Sequence, residues 1–168
     1  MPISEFKKIY DAVFPVIYRV AWRIAGNAEA AEDLCQEAFF KIFEKDMNFP
    51  SHDEAKFWLI RVVKNAALNY SKRRQRELKV YQKAFHEDTR EQLSGEAELI
   101  NNEAKEDVCA ALERLPENLR SVLALKEWGE LNYKEIGRVL GITEGNVKIR
   151  AFRAREKLQE LLSAEYGD

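Results

Sequence analysis

The sequence predicts an all-α protein in which two small helical domains are joined by a flexible acidic linker. Apolar residues recur at three- and four-residue intervals through most of the chain, as they do along one face of a helix. Alternating strand patterns and Asn-Gly or Asp-Gly hairpin turns do not occur in it. Residues 83–106 are acidic, poor in aromatic side chains and interrupted by Ser94 and Gly95, which is typical of a linker. The predicted divisions are therefore residues 1–82, 83–106 and 107–168.

Three helices are predicted in the first domain. The first carries apolar residues at helical spacing between Phe6 and Ile24, with Ser4 as its N-cap and Gly26 at its end. Pro15 falls inside this pattern. We expect a kink or a break there, because proline removes a backbone donor and clashes with the preceding turn.

The second and third helices are separated by a proline-containing loop at residues 47–54. Asn27 is the predicted N-cap of the second helix, whose apolar stripe continues to Ile42. The third helix is expected to start near Glu54 and to run through a cluster of arginines to about Tyr81.

The second domain is predicted to contain four helices, with a helix-turn-helix at its end. Pro116 suits the first turn of a helix, and Asn132 with Glu135 has the spacing of a capping box. Gly141 permits a tight turn, and Thr143 is the predicted N-cap of the last helix. Two helices joined in this way are typical of proteins that insert the second helix into the major groove of DNA.

The net charge of −2 conceals a segregation of charge along the chain. Between Arg61 and Lys79 there are seven basic residues and one acid, and between Arg138 and Lys157 there are six basic residues and two acids. Residues 86–107 reverse the balance, with eight acids and two basic residues. Two basic segments separated by an acidic one suggest contact with a polyanion at two places.

Several classes of protein are not supported by the sequence. It has no apolar run of about 18 residues and no signal-peptide pattern at its N-terminus, so we expect a cytoplasmic protein that does not insert into a membrane. It has no His/Cys cluster, Gly-rich phosphate loop or nucleophile motif, so we expect no metal, no cofactor and no enzymatic activity. Cys35 and Cys109 are interpreted as buried, inert thiols.

The last predicted helix has an apolar face and a basic face. Its apolar face is formed by Val147, Ala151, Ala154, Leu158 and Leu161. The residues on its other faces are Asn146, Lys148, Ile149, Phe152 and Arg153. An amide and cations near a helix start suit base edges and phosphates. An ordinary solvated basic face is the alternative interpretation, and the preceding turn and cap favour contact with DNA.

The segment LPENLRSVLALKEWGELNYKEIGRVLGITEGNVKIRAFRAREKL, residues 115–158, resembles region four of the extracytoplasmic-function sigma factors of bacterial RNA polymerase. The chain keeps the Leu-Pro, Tyr-x-Glu-Ile and Arg-Ala-Arg of that pattern and departs from it at Gly137, Asn146 and Ile149. The last two departures bear on which bases are preferred. The resemblance implies contact with the minus-thirty-five promoter element by Arg120, Thr143, Glu144, Asn146, Lys148, Ile149, Arg150, Phe152, Arg153 and Arg155.

The segment NAEAAEDLCQEAFFKIF, residues 27–43, resembles the part of region two of the same family that docks on RNA polymerase. Asp33, Gln36 and Glu37 lie on one side of the predicted helix, opposite its apolar stripe. In this family the corresponding segment docks on a basic surface, the clamp coiled coil of the largest polymerase subunits. Together with Phe40, these residues are the predicted contact with core polymerase. The alternative is a solvated helix face whose early acids favour the helix dipole.

The segment KFWLIRVVKNAALNYSKRRQR, residues 56–76, resembles the part of region two that engages the minus-ten element. One side of this helix carries an aromatic ring, side-chain amides and cations. Such a surface suits melted DNA, because the ring can stack on a base and the cations can contact the phosphates. The predicted contact residues are Trp58, Arg61, Lys64, Asn65, Asn69, Lys72, Arg73 and Arg74. In the family a pocket for an extruded base lies beside this helix and the preceding loop, here residues 47–53. For Trp58 both a core position and a stacking position remain open, and the core position is favoured.

The resemblance covers residues 5–162 and implies a sigma factor that binds core RNA polymerase and directs promoter-specific initiation. It also implies promoter DNA, as duplex and as melted strand, and an anti-sigma factor as partners, and the free chain is expected to be monomeric. The acidic linker would pass through the positively charged RNA path of the polymerase. Two other interpretations stay open, an autonomous helix-turn-helix regulator and a helical adaptor for acidic proteins. A response regulator is disfavoured, because its phospho-acceptor domain would need strands.

Overall fold

The computed structural model describes residues 1–84 and 107–166. Within these residues the chain forms no strand and seven helices: α1 (Ile3–Ala25), α2 (Ala28–Glu44), α3 (His52–Ala84), α4 (107–113), α5 (Glu117–Glu127), α6 (Tyr133–Leu140) and α7 (Glu144–Tyr166). The first three helices form one domain and the last four form another, which confirms the predicted all-α class with a four-helix second domain. The predicted acidic linker lies outside the described residues, except for residues 83–84, which extend α3.

The helix α1 continues through Pro15, so the predicted break does not occur. Pro15 and the preceding Asp11 and Ala12 are exposed, and water can therefore satisfy the carbonyl that loses its helical donor. The opposite face is held by buried apolar residues, including Val16 and Ile17. The hydrogen bond that the proline removes therefore lies on the solvent side of α1, where its loss costs the least free energy.

The junction between α1 and α2 forms where the sequence predicts it. Gly26 ends α1 in the left-handed conformation, at φ 76°. Asn27 caps α2 by accepting a hydrogen bond from the backbone N–H of Ala30 at 2.9 Å. The start of α1 differs from the prediction, because Ser4 already lies within the helix and Pro2 occupies the N-cap position.

Aromatic side chains join α1 to α2. The rings of Tyr10 and Phe14 stack with 4.9 Å between centroids, and both contact the buried ring of Phe39 on α2, at 4.8 and 6.1 Å. Phe6 contacts Phe39 at 5.9 Å and the exposed ring of Phe43 at 6.0 Å. This packing fixes which side of α2 faces the core and leaves the opposite side open to solvent.

The helix α3 is 33 residues long. Its first part contributes Leu59, Ile60 and Val63 to the core of the domain. Beyond Ser71 none of its described residues is buried. The basic C-terminal part of α3 therefore projects from the three-helix core.

The helix-turn-helix of the second domain also forms as predicted. Asn132 and Glu135 make a reciprocal capping box at the start of α6, with hydrogen bonds of 3.0 and 2.8 Å. Gly141 ends α6 at φ 70°, in the left-handed conformation. The hydroxyl of Thr143 then accepts a hydrogen bond from the backbone N–H of Asn146 at 3.2 Å, at the start of α7. Local side-chain chemistry thus fixes the start of α6, the turn and the start of α7.

The two domains pack against each other, α1 against α5 and α3 against α6. Buried residues of both domains, such as Ile24 and Leu125, belong to one continuous apolar cluster. At its edge the guanidinium of Arg23 lies 4.5 Å from the ring centre of Trp128. The packing of the domains decides which of the predicted contact residues are open and which are covered.

Candidate functional site

The helix α2 presents an open face that contains all four residues predicted to dock on polymerase. This face, the α2 patch, consists of Asp33, Gln36, Glu37, Phe40 and Phe43, all of them exposed. It lies opposite the buried side of the helix. Phe40 and Phe43 are 60% and 62% exposed, so two large rings lie in water beside two carboxylates. Phe43 was not predicted from the sequence, although its three-residue spacing from Phe40 is a signal for a shared face.

The two cysteines are buried, as predicted. Burial, reinforced by the charge of Glu32, raises the pKa of the Cys35 thiol to about 12. The Cys109 sulfur lies 3.9 Å from the main-chain carbonyl oxygen of Trp22. Cys35 is held as a thiol at neutral pH, which suits a packing role better than nucleophilic chemistry.

Five of the eight predicted minus-ten residues form an exposed stripe along α3. This set, the α3 stripe, consists of Arg61, Asn65, Asn69, Lys72 and Arg73. At 3.6 residues per turn they fall within about 120° of one another around the helix. Cations for phosphates and amides for base edges therefore lie on one surface.

Trp58 lies at the N-terminal end of the α3 stripe, in a cleft of about 310 Å³. The cleft is lined by Phe49, Pro50, Glu54, Phe57, Trp58, Arg61 and Arg138. The ring centres of Trp58 and Phe49 are 5.9 Å apart, and the indole is half-buried. The indole both packs against the core and lines an open cleft, so the two positions considered for it from the sequence are compatible.

The other two predicted minus-ten residues, Lys64 and Arg74, are half-buried. Burial lowers the pKa of the Lys64 ammonium, and the neighbouring charge of Arg61 lowers it further. The Nη1 of Arg74 donates to Oε1 of Glu113 at 3.4 Å, across the boundary between the domains. Contact of Arg74 with a DNA phosphate would require that pair to open.

A buried arginine crosses the boundary between the domains. Arg120 is 5% exposed, its Nη1 donates to Oγ of Ser71 at 2.9 Å, and its Nη2 donates to the main-chain oxygens of Glu113 and Leu115, each at 3.2 Å. Burial lowers the pKa of Arg120, and the charge of Glu113 opposes that shift. The guanidinium predicted to contact the minus-thirty-five element is thus enclosed by protein while the domains are packed.

Ion pairs surround this boundary. Lys72 of the α3 stripe pairs with Glu117 at 2.8 Å, and Arg138 of α6 pairs with Glu54 at 2.6 Å. The guanidinium of Arg138 also lies 5.3 Å from the ring centre of Phe57, at the edge of the cleft. Glu117 and Arg138 were not predicted as parts of the site, because their partners are distant in the chain and no local pattern links them.

The outer face of α7 is open to solvent. Of the predicted minus-thirty-five residues, those exposed on this helix include Asn146, Lys148, Ile149, Phe152 and Arg153. The opposite side is buried through Val147, Ala151 and Ala154. Arg150 is half-buried, and the hydroxyl of Thr143 is used in capping α7.

Two predicted residues of α7 are held by neighbours in their own domain. Arg155 donates to Glu127 at 3.0 Å and to the hydroxyl of Tyr133 at 3.5 Å, and these hydrogen bonds raise its pKa. Glu144 pairs with Lys148 at 3.8 Å, one turn along the helix. Arg155 ties α7 to α5 and α6, so its geometry is that of a structural contact.

Comparison with known proteins identifies both domains. Residues 9–77 match the family described as Sigma-70 region 2, and residues 106–158 match Sigma-70, region 4. The chain is 30% identical over 168 residues to the ECF RNA polymerase sigma factor SigM of Bacillus subtilis, across 100% of this chain and 99% of the relative. This chain belongs to the extracytoplasmic-function sigma factors.

Other relatives agree with the family. The ECF RNA polymerase sigma factor SigW of Bacillus subtilis is 31% identical over 170 residues, across 95% of this sigma factor and 89% of the relative. A solved structure of the sigma factor RpoE from Bartonella quintana, in complex with the anti-sigma factor NepR, is 26% identical. It matches with a TM-score of 0.67 across 95% of this chain and 98% of that chain. As a member of this family, the protein is an initiation factor that directs promoter-specific transcription by RNA polymerase. Among the described residues, no helix is both long and apolar enough to cross a bilayer.

Proposed function

We propose that this sigma factor contacts core RNA polymerase through the α2 patch, the minus-ten element through the α3 stripe and its cleft, and the minus-thirty-five element through the outer face of α7. One observation carries the proposal: a single chain presents an acidic and aromatic patch, an amide and cation stripe beside a cleft, and a basic helix face. Catalysis belongs to the polymerase, and the chain acts as a non-catalytic specificity subunit.

The α2 patch has the composition of a docking surface for a basic partner. The carboxylates of Asp33 and Glu37 offer charge complementarity, and the exposed rings of Phe40 and Phe43 offer apolar area beside them. Asp33→Lys combined with Glu37→Lys should therefore abolish co-purification with core polymerase and leave the helical circular dichroism unchanged. Asp11→Lys, on exposed α1 surface, is the matched control and should keep binding. Unchanged co-purification of the double variant would contradict this assignment.

The cleft beside Trp58 has the composition of a site for a base extruded from the minus-ten element. Stacking of a base on an aromatic ring contributes about 1–3 kcal/mol, which offsets the few kcal/mol that unstacking costs. Arg138 lines the same cleft and pairs with Glu54, so entry of a base competes with that ion pair. Minus-ten recognition is thereby linked to separation of α6 from α3.

Regulation by an anti-sigma factor that covers the polymerase-binding faces is part of the same proposal. The related RpoE of Bartonella quintana is solved in complex with its anti-sigma factor NepR. The α2 patch is the open surface of this chain that such a partner would have to cover. The acidic segment at residues 83–106 is proposed to run through the RNA path of the polymerase, and beyond residue 84 it lies outside the described residues.

The deciding experiment is run-off transcription by core RNA polymerase, with and without this chain, on genomic DNA with mapped start sites. Initiation is expected at a discrete set of positions that share two upstream elements. Transcription no more specific than that of core polymerase alone would overturn the proposal. Tight, sequence-specific duplex binding by the free chain, without polymerase-dependent initiation, would instead identify an autonomous regulator.

A further inference from the structure

We propose that Ile149 and Phe152 contact thymine methyl groups in the upstream promoter element, so that apolar contacts provide part of the promoter specificity of this sigma factor. The inference rests on the proposed minus-thirty-five contact of α7 and names the chemistry that this contact recognises. It assigns the base-reading role to two apolar side chains at the centre of a basic surface.

Ile149 occupies the outermost position of α7. It is two residues from both Val147 and Ala151, which are fully buried, and is therefore rotated by about 160° from each of them. Phe152 follows about 60° around the helix and about 4.5 Å further along its axis. A helix that docks through its outer face would bring these two side chains closest to its partner.

These two side chains are exposed at a cost, since a large apolar group in water is unfavourable. Ile149 is 50% and Phe152 is 64% exposed, and among the described residues of α7 they are its exposed large apolar side chains. Within residues 148–153 the four exposed side chains follow one another around the helix in the order Lys148, Phe152, Ile149, Arg153, in steps of about 40–60°. The apolar pair is thus flanked on each side by an exposed cation.

The major groove of duplex DNA matches this arrangement. Phosphates line both edges of the groove, where Lys148 and Arg153 would meet them. Between them lie the base edges, and the apolar group found there is the C5 methyl of thymine. Successive bases along a strand are about 3.4 Å apart, close to the axial offset of Ile149 and Phe152, so the pair can reach neighbouring base pairs.

The test uses holoenzyme assembled from this chain and core polymerase, and duplexes that it selects from a random pool. Each thymine of the upstream element is then replaced by deoxyuridine, which keeps the pairing and the polar edge but lacks the methyl group. Binding is expected to weaken by about fourfold for each methyl that is read, at one or two positions. Ile149→Ala and Phe152→Ala should each bind the thymine and uracil duplexes equally at one of these positions. Ile3→Ala, an exposed apolar truncation on α1, should keep the full difference.

Binding that is insensitive to uracil throughout the upstream element would overturn the inference, as would unchanged uracil sensitivity in both variants. Loss of core polymerase binding by either variant, without a uracil effect, would identify a protein partner for this face and would overturn it too. Failure of the proposed function is distinguishable from these outcomes. In that case the holoenzyme does not initiate at selected sites at all, whereas failure of this inference alone leaves initiation intact.

Discussion

Gly26 is favoured over other residues for two separate reasons, its backbone conformation and the close approach of a neighbouring side chain. The backbone is left-handed, at φ 76°, and a Cβ built there would lie 2.2 Å from Oε1 of Glu113. Gly141 has a similar φ of 70° but nothing within 4 Å of such a Cβ. Because the left-handed conformation costs about 1–2 kcal/mol for alanine, Gly141→Ala should lower the free energy of unfolding by that amount. Gly26→Ala should lower it by about 1 kcal/mol more, since relief of the clash breaks the contact of Glu113 with Arg74.

Urea unfolding of the two glycine variants measures this difference, and the Glu113→Ala background is its control. In that background the excess loss at Gly26 should vanish, because the obstructing carboxylate is gone. Equal losses for Gly26→Ala and Gly141→Ala in the wild-type background would show that the close approach to Glu113 carries no energy.

Arg120 and Ser71 should be energetically coupled. A hydrogen bond to a charged group contributes about 1.5–3 kcal/mol, and removal of one partner leaves the other buried without it. We expect Arg120→Met and Ser71→Ala each to lower the free energy of unfolding by more than about 1 kcal/mol, and the double variant to lose less than the sum. Arg114→Met, at an exposed position of the same domain, is the control and should change little. Additive losses would show that the two side chains do not interact.

The side chains that share a helix face could be predicted from sequence, and those that bridge helices could not. That the residues of the α2 patch and of the α3 stripe share a face follows from helical periodicity, whereas their assignment to polymerase and to DNA rests on the family resemblance. Arg120 and Arg155 have equally suitable chemistry for DNA, but their partners Ser71 and Glu127 lie 49 and 28 residues away in the chain. Their contacts depend on tertiary packing, for which a single sequence holds no local signal.

For the helices themselves, the start of α6 is the most testable boundary. Asn132 and Glu135 satisfy each other's backbone N–H groups there. Asn132→Ala should lower the free energy of unfolding by about 1 kcal/mol, because the N–H of Glu135 loses its acceptor. Asn118→Ala, at an exposed position within α5, should change it by less than about 0.5 kcal/mol. A pair of thermal melts compares them, and equal shifts would rule out the capping contribution.

Three helix ends were predictable because a single residue determines each of them, whereas the predicted N-cap Ser4 was wrong. Gly26, Asn27 and Gly141 act through their own backbone freedom or side-chain oxygen, so their roles follow from the residue type. The effect of Pro15 depends on its surroundings. A proline inside a helix costs little free energy where the carbonyl that loses its donor meets water, and much where that carbonyl is buried. Its tolerance in α1 could be recognised only once the exposed side of that helix was known.

Across the whole molecule, Glu113 couples the packing of the domains to pH. Burial raises the pKa of its carboxyl above the ordinary value of 4.5, and the charges of Arg74 and Arg120 oppose the shift. The folded chain therefore binds this proton more tightly than the unfolded chain does. Its contribution to stability is fully present below pH 4.5 and is lost as the pH rises through the raised pKa.

Glu113→Gln should remove this pH dependence, because the amide resembles the protonated carboxyl at every pH. The variant is expected to be more stable than the wild type at about pH 7, and its advantage should shrink as the pH falls toward about 4.5. Urea unfolding of both proteins at a series of pH values measures the difference. A difference that stays constant over the series would mean that Glu113 does not link the domain boundary to protonation.

The length of α3 means that a small tilt of its C-terminal part would move the end of the helix by a larger distance. By the rise of a helix, the part beyond Ser71 extends about 20 Å past the hydroxyl that holds Arg120. A tilt of about 10° at Ser71 would move Ala84, the last described residue of α3, through about 3–4 Å. That arc is close to the spacing of one base step. A small repacking at this buried hydroxyl would therefore be enlarged, at the far end of α3, into a displacement about as long as one base step.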